Sequence, residues 1–156
     1  MSKRVFHLLK HVVGGIAMLS LLVACDIESS DNGKLDGFWH LERIDTLRTG
    51  GVADLSACRV FWAIEAKLLC VNDIDHKTLG RYYFRFSQTT DSLIIHTPYL
   101  NKGHEDTWEG DIPVTDALVL APFGISALEE HYLKEKLDGS SMILRSSTYR
   151  LWFRRF

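Results

Sequence analysis

The feature that most constrains this chain is the run Arg81-Tyr82-Tyr83-Phe84-Arg85-Phe86-Ser87. Its large apolar side chains at 82, 84 and 86 alternate with Arg81, Arg85 and Ser87. A period of two places Tyr82, Phe84 and Phe86 on one buried face of a strand and the charges on the other. The same texture fills the chain from residue 35 onward: short runs of Val, Ile, Leu, Phe, Tyr and Trp, separated by turn residues. Little of it has helical periodicity.

Residues 35–44 make the first such run, ended by Thr49-Gly50-Gly51. Cys58 to Val71 is next, then 81–87, then Leu93–His96 after Thr90-Asp91-Ser92. Asn101–Asp116 is polar, contains Gly103, Gly110 and Pro113, and reads as a long loop. Residues 117–130 read as short helical turns broken at Pro122. Three strands close the chain: His131–Leu137, Met142–Ser146 and Tyr149–Phe156. With Cys58–Val71 counted as a hairpin there are about eight strands, the number that closes a small antiparallel barrel and removes exposed sheet edges. The expected fold is therefore all-β: an up-and-down barrel of about eight strands with one short broken helical segment.

The stretch 58–71 has two readings. As a hairpin centred on Ile64, it brings Cys58 and Cys70 opposite one another, and a disulfide can form. As one long strand it holds them roughly 40 Å apart at about 3.3 Å per residue, and none can. Its middle, Ala63-Ile64-Glu65-Ala66, lacks the Gly, Asn or Pro of a tight hairpin turn.

The first residues have a different character. Lys3, Arg4 and Lys10 precede an apolar stretch from Val12 to Val23, then Ala24 and Cys25. About a dozen apolar residues is too short for a membrane span, which needs about 20, but suits a signal h-region. Leu22-Val23-Ala24-Cys25 resembles the lipobox of bacterial lipoproteins. That resemblance implies removal of residues 1–24, palmitate-type acylation of Cys25 and attachment to a cell-envelope membrane, with the outer membrane expected and the face left open. Two or more acyl chains are needed for firm anchoring. Residues 25–34, largely polar and acidic, are expected to form a tether, leaving 35–156 as the domain.

Without residues 1–24, 132 residues remain, with 15 basic and 20 acidic side chains. That length builds a single core, and the acidic balance argues against a nucleic-acid partner. Arg145, Arg150, Arg154 and Arg155 cluster near the C-terminal strand, where a role on the strand face or barrel end is favoured.

Gly37-Phe38-Trp39 looks like the Gly-x-Trp signature that opens lipocalins. With the strand-rich body, the broken segment at 117–130 and the ending Leu151-Trp152-Phe153-Arg154-Arg155-Phe156, the chain resembles the lipocalin-like lipoproteins of Bacteroides-type bacteria. The resemblance implies that Trp39 plugs one barrel end under a basic side chain of the last strand, for which Arg154 is the expected partner.

No residue pattern points to catalysis. The histidines lack zinc-site spacing, His104-Glu105-Asp106 reads as a charged surface loop, and Ser126 is not in a Gly-x-Ser-x-Gly elbow. Neither a metal nor a cofactor is expected, and the protein is expected not to be an enzyme. Besides inhibition of an external enzyme by the barrel, for which the sequence offers no feature, two functions remain open. In one, Trp62, Tyr82, Phe84, Phe86 and Tyr132 line a pocket for a small apolar ligand. In the other, those side chains fill a solid barrel that contacts an envelope protein through 101–116 and the segment 121–125 around Phe123. An open interior cavity of several hundred Å³ distinguishes the first, an exposed apolar patch near Phe123 the second.

Overall fold

The structure, a computed structural model, describes residues 30–76, 80–102 and 110–156. The signal segment and residues 25–29 of the tether, Cys25 among them, lie outside the described residues, as does His104-Glu105-Asp106. Among the described residues ten strands form one antiparallel sheet: β1 (Gly37–Thr46), β2 (Gly51–Asp54), β3 (Val60–Glu65), β4 (Leu68–Asp73), β5 (Arg81–Gln88), β6 (Ser92–Leu100), β7 (Ile112–Pro113), β8 (Glu130–Leu137), β9 (Ser141–Arg145) and β10 (Tyr149–Arg155). Eight of them close on themselves in the order β1-β3-β4-β5-β6-β8-β9-β10, with β10 pairing back onto β1. The two short strands extend this ring at one end. Strand β2 pairs with the second half of β1, and β7 with the last residues of β6.

The inward positions carry the large apolar side chains. Trp39, Leu41, Trp62, Ile64, Leu69, Val71, Phe84, Leu93, Ile95, Met142, Leu144 and Leu151 are all buried in one core. Alternation alone does not assign every face, because three strand pairs shift register through bulges, which insert an extra residue and flip the parity beyond it. In β1 the shift falls between Leu41 and Arg43. Arg43 therefore points out and Ile44 in, and the guanidiniums of Arg43 and Arg150 lie over the ring of Trp152 on the outer wall, 5.6 and 4.6 Å from its centre.

Cys58–Val71 is a hairpin, but its turn is Ala66-Lys67 rather than the region of Ile64. Ala66 takes a φ of 52°, unusual for a residue with a Cβ. The turn is held from outside: Ala66 N donates to Ser30 Oγ, and Asn32 Nδ2 donates to the Ala66 carbonyl at 2.6 Å. This register excludes the disulfide that a hairpin centred on Ile64 would have allowed. Cys70 pairs with Ala63, whereas Cys58 lies before β3 begins, and both thiols are free. The two-residue turn also reverses parity, so Cys70 sits on the outer face beside Tyr83.

The end of the barrel where β1 begins is sealed. Gly33–Leu35 forms a 3-10 turn that buries Leu35, and Trp39 Nε1 donates to the Leu35 carbonyl at 2.9 Å. The guanidinium over the Trp39 ring is that of Arg155, at 5.4 Å, and it also donates to the Asp36 carbonyl. The expectation of Arg154 is thus corrected by one residue. Phe153 and Arg155 have the inward parity, Arg155 pairing directly with Trp39, while Arg154 points outward to Glu42. Gly37, at φ 147°, lets this guanidinium close in: a Cβ there would meet Arg155 Nη2 at 3.0 Å.

Candidate functional site

The opposite end is where a small barrel would open, and here a segment of the chain enters it. Asp116 caps a 3-10 helix, Ala117–Phe123, by accepting from Leu118 N, and Gly124 ends it in the left-handed region at φ 78°. Leu120, Phe123 and Ile125 are fully buried among the core side chains. Gly124 is required in two ways. Its φ favours a residue without Cβ, and a Cβ would fall 2.4 Å from Leu151 Cδ2.

The interior aromatics bind this plug. Trp62 Nε1 donates to the Phe123 carbonyl at 3.2 Å, and the Tyr132 hydroxyl donates to the Gly124 carbonyl at 3.0 Å. Trp62 also makes edge-on contacts with Tyr132 and Phe153, and Tyr82 with Phe123. Burial pushes the Tyr132 phenol well above its ordinary pKa, with lesser contributions from Glu130 and Tyr149, so it remains a donor. Of the five expected pocket residues, Trp62, Tyr82, Phe84 and Tyr132 are buried in the core and Phe86 packs partly buried against it. They come together, but around the chain's own residues 120–125.

Beyond the plug, the segment is fixed by polar contacts. Ser126 donates through N and Oγ to the buried Glu130 carboxylate, at 2.8 and 2.6 Å, and its Oγ lies 3.0 Å from Thr148 Oγ1. Ser126 is thus an anchor for the strand entry into β8. Phe123 is fully buried, which corrects its expected place in an exposed contact. The exposed apolar side chains of the plug are Leu118, 78% accessible, and Val119. Leu47 and Val52, also exposed, lie in the β1–β2 hairpin at the same end.

Between that hairpin and the plug is an open cleft of about 490 Å³, lined by Ile44, Thr46, Ala53, Leu55, Cys58 and Pro122 among others. Its polar wall is Asp73 and His76. The Asp73 carboxylate, almost fully buried, accepts from the backbone N of Asp75 and His76 and from His76 Nδ1 at 2.8 Å. His40 Nε2 donates to the Cys58 carbonyl at 2.6 Å, which pins the segment between β2 and β3 along the rim. Of the other histidines, His96 pairs with Thr97 and His131 with Glu129. Among the described residues, no three His, Cys, Asp or Glu side chains are arranged to hold a metal. The C-terminal arginines are spread over paired positions: Arg145 and Arg150 face Glu135, and Arg154 faces Glu42.

The plug is what reading the sequence missed. Its signals are present in Asp116, the apolar spacing of Leu120 and Phe123, and Gly124. Together they describe a capped short helix but not its insertion into a barrel.

A family model described as "Lipocalin-like domain" matches residues 19–156. Among solved structures, a lipocalin-like protein from Bacteroides uniformis is similar at a TM-score of 0.57 and 19% identity, covering 80% of this chain and all of that one. An uncharacterized protein from Bacteroides eggerthii is similar at a TM-score of 0.54 and 19% identity, covering 78% of this chain and 98% of the other. No curated protein matches.

Proposed function

This chain belongs to the lipocalin-like domain family, and on that premise we propose a non-catalytic, lipid-anchored cell-envelope protein whose solid barrel presents its plugged mouth to a partner protein. The carrying observation is that the interior is occupied by the chain itself. Trp62 and Tyr132, whose donors would orient a ligand, are committed to the Phe123 and Gly124 carbonyls. Leu118 and Val119 on the plug and Leu47 and Val52 on the hairpin offer apolar contacts at the same rim. Anchoring at Cys25 is supported by the basic and apolar segment before it, and the stretch matched by the family model includes Leu22–Cys25.

Native mass spectrometry decides between this reading and ligand carriage. Residues 26–156, exported by the native host behind a cleavable secretory signal and purified without detergent, are expected at their bare mass. A stoichiometric co-purifying small molecule refutes the solid-barrel reading. For the anchor, Cys25→Ser is expected to move the protein out of the membrane fraction, and unchanged retention refutes it.

The mouth cleft favours a second, narrower reading, because its volume falls within the roughly 300–1,000 Å³ of small-molecule sites. In that reading a small amphipathic ligand lies outside the plug, against Leu55 and Pro122, with its polar group on His76. Binding abolished by His76→Ala with the plug still docked would support it.

A further inference from the structure

We infer that the sealed end of the barrel is itself a membrane contact, in which Phe156 and Phe38 enter the headgroup region of the bilayer that holds the lipid. The inference rests on the proposed acylation of Cys25. Four residues separate Cys25 from Ser30, so the lipid attachment point lies no more than about 18 Å, five extended Cα–Cα steps, from Ser30. Ser30 is bound to the sealed end: its Oγ accepts from Ala66 N and from Asn32 Nδ2, and Asn32 Nδ2 also reaches Asp36. The plugged mouth lies about 20 Å away along tilted strands of some eight residues. The short covalent link therefore holds the sealed end against the membrane.

That end carries an ordered aromatic wedge. Phe156 is 76% exposed and Phe38 40%, on the outer wall beside the Gly33–Leu35 turn. Phe38 stacks on Phe61 with ring centres 4.5 Å apart. Phe156 packs edge-on against both, at 5.8 and 5.3 Å, and its backbone N donates to the Phe38 carbonyl at 2.8 Å. Leu68, after the turn that Ser30 and Asn32 clasp, is also exposed. These rings are held outward by one another, so insertion costs little ordering entropy. The charges carried by that end are mixed, Lys34, Lys67 and Arg155 against Asp31, Asp36 and Glu65. The contact is therefore apolar and needs no anionic lipid.

The test uses the full acylated chain, its two acyl-bearing groups verified by intact mass, in phosphatidylcholine vesicles with acyl chains brominated near the headgroup. Phe156→Trp places a reporter on the wedge and Leu118→Trp one at the mouth, each read as the difference from the unsubstituted chain. Bromine is expected to quench the added emission of F156W and to leave that of L118W unchanged. A membrane-bound, acylated F156W that is not quenched overturns the inference and leaves the anchor intact. Quenching of L118W as deep as that of F156W also overturns it. A chain whose mass shows no acylation removes the anchor itself, and the inference with it.

Discussion

Removing the Tyr132 hydroxyl tests whether the plug is held from within. The phenol is buried and donates to the carbonyl of Gly124, itself buried. Tyr132→Phe keeps the ring and its contact with Trp62 but strands that carbonyl in the core. An unsatisfied buried acceptor costs about 1–3 kcal/mol, and for a domain of this size each kcal/mol lowers Tm by about 3–5 °C. The loss has a location as well as a size. If the plug opens as a unit of its own, exchange of the Gly124 and Ile125 amides, bonded within the plug to Ala121 and Leu120, accelerates by roughly 5- to 150-fold, the same free energy read at about 1.4 kcal/mol per decade. Amides of β4 and β6 change less. Urea unfolding and hydrogen exchange measure the two effects. A stability loss below about 0.5 kcal/mol, less than one ordinary hydrogen bond, together with unchanged exchange at 124 and 125, would show that the hydroxyl does not hold the plug. There is also a pH signature. Because the folded-state pKa is raised, the stability associated with the protonated phenol is present below the unfolded value of about 10. It is lost as pH rises through the folded value, and Y132F lacks that decline.

Three further outcomes follow from the same geometry. Gly124→Ala places a side chain in the left-handed region and against Leu151, and urea titration should show a loss of about 2–4 kcal/mol from backbone strain and overpacking combined. Arg155→Ala should cost about 0.5–1.5 kcal/mol and shift Trp39 emission by uncovering its ring, whereas Arg154→Ala, which breaks an exposed pair with Glu42, should cost less and leave Trp39 unaffected. Asp138 accepts from the backbone N of Ser140 and of Ser141 in the β8–β9 turn, and these bonds hold its carboxyl far below the ordinary value of 3.8. Its contribution is complete above that value and lost as pH falls toward the folded one. Melting curves of Asp138→Ala should therefore lie below those of the unsubstituted chain at pH 7 and converge with them in strong acid.

The strands that could be read in advance are those whose alternation ends at residues with turn chemistry. Strand β5 shows its inward Tyr82 and Phe84 directly, and Asp138-Gly139-Ser140 marks the β8–β9 turn. Strand β2 could not be read, because Gly51–Asp54 is exposed on both faces and so has no alternation. The Ala66-Lys67 turn carries no local signal, since what holds Ala66 left-handed is Ser30 and Asn32, more than 30 residues away in sequence. The choice between Arg154 and Arg155, and the relation of the two cysteines, depends on register, which bulges and that turn reset. At the mouth, the aromatic set was legible as inward-facing, but its occupant was not. A short capped helix looks alike on a surface and inside a barrel until the Trp62 and Tyr132 donors are seen to end on its carbonyls.

The pairing of β1 with β10 has a consequence for how the molecule comes into being. Trp39 finds Arg155 only after more than a hundred further residues have been made, so the first strand of the ring waits longest for the neighbour on one of its two edges. Until then its open edge is a template for stray strands, and the late, non-local closure makes assembly slow. Newly made chains are therefore most vulnerable to aggregation just before the last seven-residue strand arrives, and truncations that remove it should leave an adhesive ribbon rather than a smaller barrel.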